Sequence, residues 1–327
     1  MKERNGLLAG LKEQAAQLEA VMQQDLAGIV SPQLAEILRH AIFQGGKRLR
    51  PLLTVLAASL AGPPPPAAAR LAIVFEYLHA ASLLHDDVID HAELRRGART
   101  ANAIWGVSPV ILAGDFLHAH AMALASAVGG KEAMALVGQA TTAMVEAEFL
   151  QMQNATEGTL SEERYFAVLM GKTAALISAA CETGMVIAGG SIDERAALRT
   201  YGTNLGLAFQ IVDDLLDYHG DPAKTGKAVG NDFQEGKMTL PLIVAMAQAD
   251  AMDRALLDGW LANSPEARTA AFIEARQVID RLGGFAQSIN KAETLITEAL
   301  EGLNIFPASP ARETLHGLAR YVLERER

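Results

Sequence analysis

The stretch that decides the fold is Ala80-Ala81-Ser82-Leu83-Leu84-His85-Asp86-Asp87-Val88-Ile89-Asp90, and a stretch of the same design is Leu207-Ala208-Phe209-Gln210-Ile211-Val212-Asp213-Asp214-Leu215-Leu216-Asp217. In each, an apolar run is followed by Asp-Asp-x-x-Asp. On a helix, positions i and i+4 share a face, so Asp86 lies with Asp90 and Asp213 with Asp217. Carboxylates on one face repel each other unless a cation lies between them. Two such faces turned toward each other would form an oxygen-rich site for hard divalent cations, which in turn bind phosphates.

The composition favours an all-α fold. Half of the 327 residues are hydrophobic and only 5% are aromatic. No segment shows the sustained alternation of apolar and polar residues that is typical of strands, and helix-favouring Ala, Leu, Met and Glu dominate. The helical runs are separated by short loops without a long linker, so we predict a single domain over residues 1–327.

Charge and cysteine content exclude several classes of protein. The formal net charge of −10 argues against general nucleic-acid binding, because a phosphate backbone requires clustered basic surface. The single cysteine, Cys181, excludes an internal disulfide framework and is expected to be buried. The charged N-terminus does not resemble a signal peptide, and no uninterrupted apolar run approaches about 20 residues. We therefore expect a cytoplasmic protein with no transmembrane segment.

Capping and breaking residues predict where helices begin and end. The N-cap signals are Ser31-Pro32, Ser309-Pro310 and two capping-box pairs, Thr159 with Glu162 and Ser191 with Glu194. The predicted breaks are the glycine pairs Gly45-Gly46, Gly129-Gly130 and Gly189-Gly190. Between these signals, a long helix is predicted from about Ala67 to the first acidic cluster.

Basic clusters accompany the acidic stretches. They are Gly45-Gly46-Lys47-Arg48-Leu49-Arg50-Pro51, Arg95-Arg96-Gly97, Met170-Gly171-Lys172-Thr173, and Lys227 with Lys237 after the second motif. Each cluster alone is typical of a solvated loop. Beside carboxylates suited to divalent ions, they indicate a highly anionic ligand whose oxygens are bridged by metal and neutralised by Lys and Arg. A diphosphate fits best.

With these motifs in this order, the sequence resembles the trans-isoprenyl diphosphate synthase (polyprenyl synthetase) family over nearly its whole length. The carrying residues are the two acidic stretches, the basic clusters and Gly236-Lys237-Met238-Thr239-Leu240-Pro241. The resemblance implies an isoprenoid synthase fold, a bundle of long antiparallel helices around a deep central cavity, usually in a homodimer. It also implies head-to-tail (1′–4) condensation of isopentenyl diphosphate onto an allylic diphosphate.

The resemblance assigns a role to each candidate residue. The Mg²⁺ ligands that hold the allylic diphosphate would be Asp86, Asp87, Asp90, Asp213 and Asp214, with Asp217 acting through water or a neighbouring ligand. The allylic-diphosphate contacts would be Arg95, Lys172, Lys227 and Lys237. The isopentenyl-diphosphate site would be Lys47, Arg50, His79 and Arg96. The polar groups near the allylic cation would be Thr173 and Gln210, so Asp86, Asp213, Lys172, Thr173 and Gln210 are the expected catalytic set.

Small residues before the first motif bear on product length. In this family, the fourth and fifth residues before the first aspartate often limit the growing tail, and here they are Ser82 and Ala81. Their small side chains would leave the cavity without a floor at this level, so the tail could grow past the farnesyl stage. Each CH₂ added to the tail gains about 0.8 kcal/mol on burial. We predict a medium- to long-chain product, about octaprenyl. The cavity floor would come from a facing helix, with Phe116, His118 and Met122 as candidates.

Several alternatives stay open at this point. A geranylgeranyl or farnesyl diphosphate synthase is the runner-up. A class I terpene cyclase would share the first acidic motif, but it would not be expected to keep Asp213-Asp214 or the Lys47 and Arg50 cluster. A non-catalytic subunit of a heteromeric synthase would be expected to lose one acidic motif. The sequence also leaves open whether product release requires transient contact with a membrane.

Overall fold

Helices account for nearly all of the secondary structure in the computed structural model, which describes residues 2–95, 97–157, 161–219 and 229–324. In chain order they are α1 (Lys2–Asp25), α2 (Pro32–Phe43), α3 (Leu49–Ala58), α4 (Ala67–Ile89), α5 (Ala101–Trp105), α6 (Val107–Glu157), α7 (Glu162–Leu169), α8 (Ala175–Ile187), α9 (Ile192–His219), α10 (Asn231–Glu235), α11 (Leu240–Gln248), α12 (Ala251–Leu261), α13 (Pro265–Arg281), α14 (Gly284–Gly302) and α15 (Pro310–Glu324). A π-helical turn, Met170–Ala174, joins α7 to α8, and two short strands, β1 (Leu94–Arg95) and β2 (Ala98–Arg99), follow α4. The all-α prediction is confirmed.

Local signals set several of the helix ends. The Ser31 hydroxyl accepts a hydrogen bond from the Leu34 N–H at 3.4 Å, as an N-cap does. Ser191 and Glu194 form the reciprocal capping box, with Ser191 N–H donating to Glu194 at 2.7 Å and Glu194 N–H to Ser191 at 3.3 Å. The predictions for these two helix starts are confirmed.

One predicted break is confirmed, and one helix start differs from the sequence prediction. Gly129-Gly130 interrupts α6 at a kink, where Gly130 has the non-helical angles φ 68° and ψ −160°. A positive φ is tolerated because glycine has no Cβ. Thr159 lies outside the described residues; α7 begins at Glu162, and Ser161 is its N-cap, accepting from the Arg164 N–H at 3.1 Å.

Contacts divide the chain into two compact units, and the first comprises Met1–Thr141, Leu176–Gly202 and Gly302–Gly317. Its central helix is α4, which packs on α1, α2, α3 and α5. Buried residues lie on every side of α4, including Leu71, Val74 and Phe75 at 0% exposure, as expected of a helix enclosed by others. Cys181 on α8 is also fully buried, as predicted, and burial raises the pKa of its thiol.

The second unit comprises Thr142–Ala175, Thr203–Glu301 and Leu318–Arg327. Here α11 packs on both α7 and α13, and α13 also contacts α10 and α12. Seven consecutive residues of α11, Leu240–Met246, are buried. The prediction of one domain over the whole chain stays a prediction.

The expectation of no membrane-spanning segment stays a prediction. Within the described residues, three helical stretches are long and apolar enough to cross a membrane by length and composition alone: Ala67–Ile89, Val107–Asn154 and Glu162–Ile187. In the first and third, 67% of the apolar window is buried inside the protein. Interior packing therefore accounts for much of the apolar character of those two stretches.

Candidate active site

The first acidic motif occupies the C-terminal end of α4. Asp87 is buried, Asp86 is half-buried, and Asp90 is exposed at the C-cap, one residue beyond the helix. The Asp90 N–H still donates to the Asp86 carbonyl at 2.8 Å, so these two residues keep the predicted i, i+4 relation. The buried carboxylate is thus that of the middle aspartate, which sequence periodicity does not single out.

A small hairpin places the guanidinium of Arg95 against this buried carboxylate. Leu94 lies opposite Arg99 in the antiparallel ladder, and Arg95 lies opposite Ala98. The Arg95 guanidinium contacts Asp87 Oδ1 through Nε at 2.8 Å and Nη2 at 2.7 Å. The residue expected to bind diphosphate therefore forms an ion pair with a residue expected to bind metal.

The Gly45–Arg50 loop separates its basic residues by environment. Lys47 is exposed, whereas Arg50 is turned into the protein and burial lowers its pKa, opposed by the charge of Glu76. Arg48 is 3% exposed and has φ 50°, and its guanidinium lies 2.7 Å from Glu19 and 2.8 Å from Glu76. The cluster that the sequence presents as one basic surface thus contains a buried structural ion pair.

The residues expected to control product length line α4 one to two turns before the motif. Ala81 is 3% exposed, and Ser82 is half-buried with its hydroxyl donating to the His79 carbonyl at 2.9 Å. Among the floor candidates on α6, His118 is exposed, while Phe116 and Met122 are half-buried. His118 therefore does not point into the protein interior.

The second acidic motif, in the second unit, ends α9 and has the same middle residue buried. Asp214 is 6% exposed, and both of its oxygens accept hydrogen bonds, from Tyr165 Oη at 2.7 Å and Gln210 Nε2 at 2.9 Å. Burial raises the pKa of Asp214 to about 7; the two hydrogen bonds oppose this rise, while the charges of Asp232 and Asp213 add to it.

The predicted Lys172-Thr173 pair lies in the π-helical turn and is hydrogen-bonded to the helix of the second acidic motif. Thr173 Oγ1 donates to Gln210 Oε1 at 3.3 Å, so Thr173, Gln210 and Asp214 form a continuous chain of hydrogen bonds. Lys172 pairs with Glu148 at 2.8 Å and donates to Gln151 at 3.2 Å, both on α6. Turns of this kind often occur at functional sites.

The segment after α9 is tied back to Asp217. Its carboxylate accepts from the Asp232 N–H at 2.9 Å at the start of α10. Burial raises the pKa of Asp217 to about 6. Lys237 pairs with Asp232 at 3.3 Å and with Glu235 at 2.7 Å. Lys237 is exposed, and the desolvation that opposes its charge is more than offset by these two carboxylates, which raise its pKa. Arg96 and Lys227, two further predicted contacts, lie outside the described residues.

The site residues described above lie within a part of the chain that matches a known protein family. Residues 31–279 match the polyprenyl synthetase family, a span that covers most of the chain. The chain belongs to the polyprenyl synthetase family. It is therefore a prenyltransferase of isoprenoid biosynthesis, and its substrates are isoprenoid diphosphates.

Relatives of this polyprenyl synthetase make products of different lengths. It is 36% identical over 293 residues to octaprenyl diphosphate synthase of Escherichia coli (strain K12), covering 88% of each chain. It is 37% identical over 320 residues to a short chain isoprenyl diphosphate synthase of Methanothermobacter thermautotrophicus, covering 97% of this chain and 98% of the other. The crystal structure of a decaprenyl diphosphate synthase from Rhodobacter capsulatus aligns with a TM-score of 0.90 at 38% identity, covering 99% of both chains. The all-α isoprenoid synthase fold is thereby confirmed.

The residues of this polyprenyl synthetase fit the divalent ion that prenyl synthases generally use. Asp214 is buried beside Asp213 and Asp232, and its two hydrogen-bond donors are neutral. A cation there would offset the desolvation and mutual repulsion that raise its pKa. In the part of the chain that the structure describes, no three His, Cys, Asp or Glu side chains are gathered as a metal-binding group. Mg²⁺ does not require one, because it is usually bound by one or two carboxylates with substrate phosphates and water.

Sequence reasoning missed three contributors to this synthetase. Tyr165 contacts the second motif from 49 residues earlier in the chain, the Asp232 N–H contacts it from 15 residues later, and Arg48 turns inward from an apparent surface cluster. Asp232 lies in Gly230-Asn231-Asp232, a turn-prone segment between Lys227 and Lys237, so its carboxylate could have been suspected. Nothing in the local sequence marks Tyr165.

Proposed function

We propose that this chain condenses isopentenyl diphosphate head-to-tail (1′–4) onto allylic diphosphates, giving a medium- to long-chain polyprenyl diphosphate of about octaprenyl length. The observation that supports the site best is the hydrogen-bond chain Thr173–Gln210–Asp214. It connects a polar group expected near the allylic cation to a carboxylate expected to bind metal. A reaction that separates a cation from a diphosphate needs these two functions side by side.

Mg²⁺ is the proposed metal. Asp86, Asp87 and Asp90 of the first motif and Asp213 and Asp214 of the second would hold it, with Asp217 acting indirectly. When bound, Mg²⁺ acts as a Lewis acid that stabilises the negative charge developing on the departing diphosphate.

Basic residues would bind the two diphosphates. Arg95, Lys172, Lys227 and Lys237 are the proposed contacts of the allylic diphosphate, and Lys47, Arg50, His79 and Arg96 those of isopentenyl diphosphate. Arg95 also pairs with Asp87, and Lys172 pairs with Glu148. To contact a diphosphate, Arg95 and Lys172 would exchange these carboxylates for phosphate oxygens, and Asp87 would become available to the metal.

Thr173 and Gln210 would then orient the allylic group and stabilise its positive charge through their oxygens. The double bond of isopentenyl diphosphate attacks the cation, and the proton lost afterwards would pass to the released diphosphate. No side-chain nucleophile is required. Water must be excluded because it would capture the cation.

Product length rests on Ala81 and Ser82. Both are small and Ala81 is buried, so neither would obstruct a tail that passes this level of α4. This supports a product beyond the farnesyl stage. The similarity to an octaprenyl synthase agrees with it.

A specific observation favours a shorter product, such as geranylgeranyl, as the second candidate. Tyr77 lies one turn before Ala81 on the same face and is fully buried. Its ring centroid is 5.7 Å from that of His120, which stacks on Phe116 at 5.6 Å. A tail that followed this face past Ala81 would meet three aromatic rings within about one helical turn.

A product profile separates the two lengths. Purified protein would be incubated with Mg²⁺, isopentenyl diphosphate and dimethylallyl, geranyl or farnesyl diphosphate, and the products analysed by mass spectrometry. A distribution ending near eight units supports the longer product, and a sharp stop at four or fewer refutes it. Ala81→Phe should shorten the product, whereas Ala270→Phe, which adds the same ring at an exposed site of α13, should leave it unchanged. An unaltered profile for Ala81→Phe would rule out a tail path past this residue.

The same incubation tests the two remaining alternatives. A terpene cyclase would release hydrocarbon or alcohol from an allylic diphosphate without consuming isopentenyl diphosphate. A non-catalytic subunit would show no turnover until a second subunit is added. We further propose that the protein is a cytoplasmic homodimer, that each chain forms a single domain, and that it has no transmembrane segment. Light scattering on the purified protein tests the dimer.

A further inference from the structure

Two hydrogen bonds hold the buried aspartate of the second acidic motif in place. Tyr165 Oη donates to Asp214 Oδ2 at 2.7 Å, and Gln210 Nε2 donates to Asp214 Oδ1 at 2.9 Å. A carboxylate has about four lone-pair positions. Each oxygen therefore keeps one for a further partner, and the two hydrogen bonds decide which way those positions point.

Tyr165 itself is held in one orientation. It lies in the second turn of α7, is 8% exposed, and packs edge-to-face on Phe166 with ring centroids 5.4 Å apart. Lys291 lies over the other ring, 5.4 Å from the Phe166 centroid. A tyrosine fixed by packing loses little side-chain entropy when it donates, so its hydroxyl is a well-defined reference point for Asp214.

The choice of a neutral donor is also informative. In the first motif, the buried Asp87 is paired with the Arg95 guanidinium, which cancels its charge until the partners exchange. In the second motif, the buried Asp214 is held by a phenol and an amide. These donors orient the carboxylate but bring no positive charge, so the charge that balances the ionised form can come from a bound cation.

We propose that Tyr165 is a positioning residue that orients the Asp214 carboxylate toward the divalent metal of the diphosphate site. This rests on the proposed function, because it requires Asp214 to be a metal ligand. Partners that hydrogen-bond a ligating carboxylate typically contribute about 10- to 100-fold in metal affinity. Removing the Tyr165 hydroxyl should weaken metal binding by that factor while leaving the fold intact.

The test uses the Mn²⁺–pyrophosphate complex as the probe, with its binding to the full chain measured by calorimetry. Tyr165→Phe should bind it about 10- to 100-fold more weakly than the unmodified protein. Tyr201→Phe is the matched control, because Tyr201 is fully buried and donates to the Leu315 carbonyl at 2.8 Å, away from both motifs. Metal-free thermal unfolding of both variants measures the cost of losing a buried hydroxyl by itself.

The outcomes separate this inference from the proposed function. If Asp214→Asn binds the probe normally, Asp214 is not a ligand and both fail. If Asp214→Asn weakens binding but Tyr165→Phe does not, only the positioning role is overturned. An equal loss of affinity in Tyr165→Phe and Tyr201→Phe, in proportion to their loss of thermal stability, would overturn it too. Restoration of Tyr165→Phe turnover by raised metal concentration supports it.

Discussion

The buried ion pair of Arg48 gives the sharpest test of what holds the basic loop in place. Arg48 is enclosed, with its guanidinium 2.7 Å from Glu19 and 2.8 Å from Glu76. Glu76 is 7% exposed, so Arg48→Met would leave a buried carboxylate without the cation that hydrogen-bonds to it. Removing one member of a buried pair costs about 3–5 kcal/mol of unfolding free energy. That is a large share of the roughly 5–15 kcal/mol of a typical domain.

Urea denaturation followed by far-ultraviolet circular dichroism measures this loss. A double-mutant cycle with Glu76→Gln should recover part of it, because the amide carries no charge to strand. Arg254→Met is the control: Arg254 pairs with Asp258 at 3.0 Å but is 47% exposed, so its loss should cost less than about 1 kcal/mol. If Arg48→Met costs no more than Arg254→Met, or Glu76→Gln recovers nothing, the pair does not stabilise the loop as argued.

Three further results are expected. Asp86→Ala should lower turnover by a factor on the order of 10² or more with little loss of stability, because it removes a metal ligand and relieves carboxylate repulsion; near-normal turnover would contradict the metal assignment. Gly171→Ala should cost about 1–3 kcal/mol by urea denaturation and reduce turnover as well, because its Cβ would lie 2.5 Å from the Ala143 carbonyl oxygen. Gly138→Ala on α6, the helix that carries Ala143, meets nothing within 4 Å and should be neutral or stabilising, so equal losses in both variants would refute the steric argument. Chelation with EDTA should abolish turnover but leave the circular dichroism spectrum unchanged, and a persisting activity would exclude an essential divalent metal.

Local patterns predicted the features that depend on local physics. The long helix that carries the first motif begins at Ala67 as expected, because the glycine and prolines of residues 62–66 prevent the helix from extending further toward the N-terminus. The capping pair of Ser191 and Glu194 forms as its spacing requires. Gln210 faces the acidic side of α9 because i and i+4 residues of a helix meet.

Features fixed by distant contacts could not be predicted. The hairpin that brings Arg95 to Asp87 has only two residues in each strand, and Thr100 and Asn102 hold it by bonding to the Ala92 carbonyl. So short a ladder leaves no alternation to detect. Arg48 turns inward because it pairs with Glu19 on α1 and Glu76 on α4. The sequence of its own loop does not reveal these partners.

The apolar stretches show a related limit of composition. No uninterrupted apolar run in the sequence approaches the length of a membrane span, yet three helical stretches in the described part of the chain are long and apolar enough on average to cross a membrane. The two measures differ because isolated charged or polar residues interrupt a run without lowering its average much. Composition therefore reports how apolar a helix is, while packing determines which of its surfaces meet solvent.

The π-helical turn at Met170–Ala174 has a consequence for how this segment tolerates changes in length. A π turn contains one residue more than the α-helix would use for the same advance, so it stores a single-residue insertion inside an otherwise regular rod. Deleting one residue there would restore a plain α-helix with α8 in the same phase relative to α7, and would displace only the residues of the turn itself. Such a protein could keep its helical content and still lose the alignment of Lys172 and Thr173 with their partners. In a survey of natural variants, this turn should therefore mark a place where the chain length is fixed even if the residue types are not.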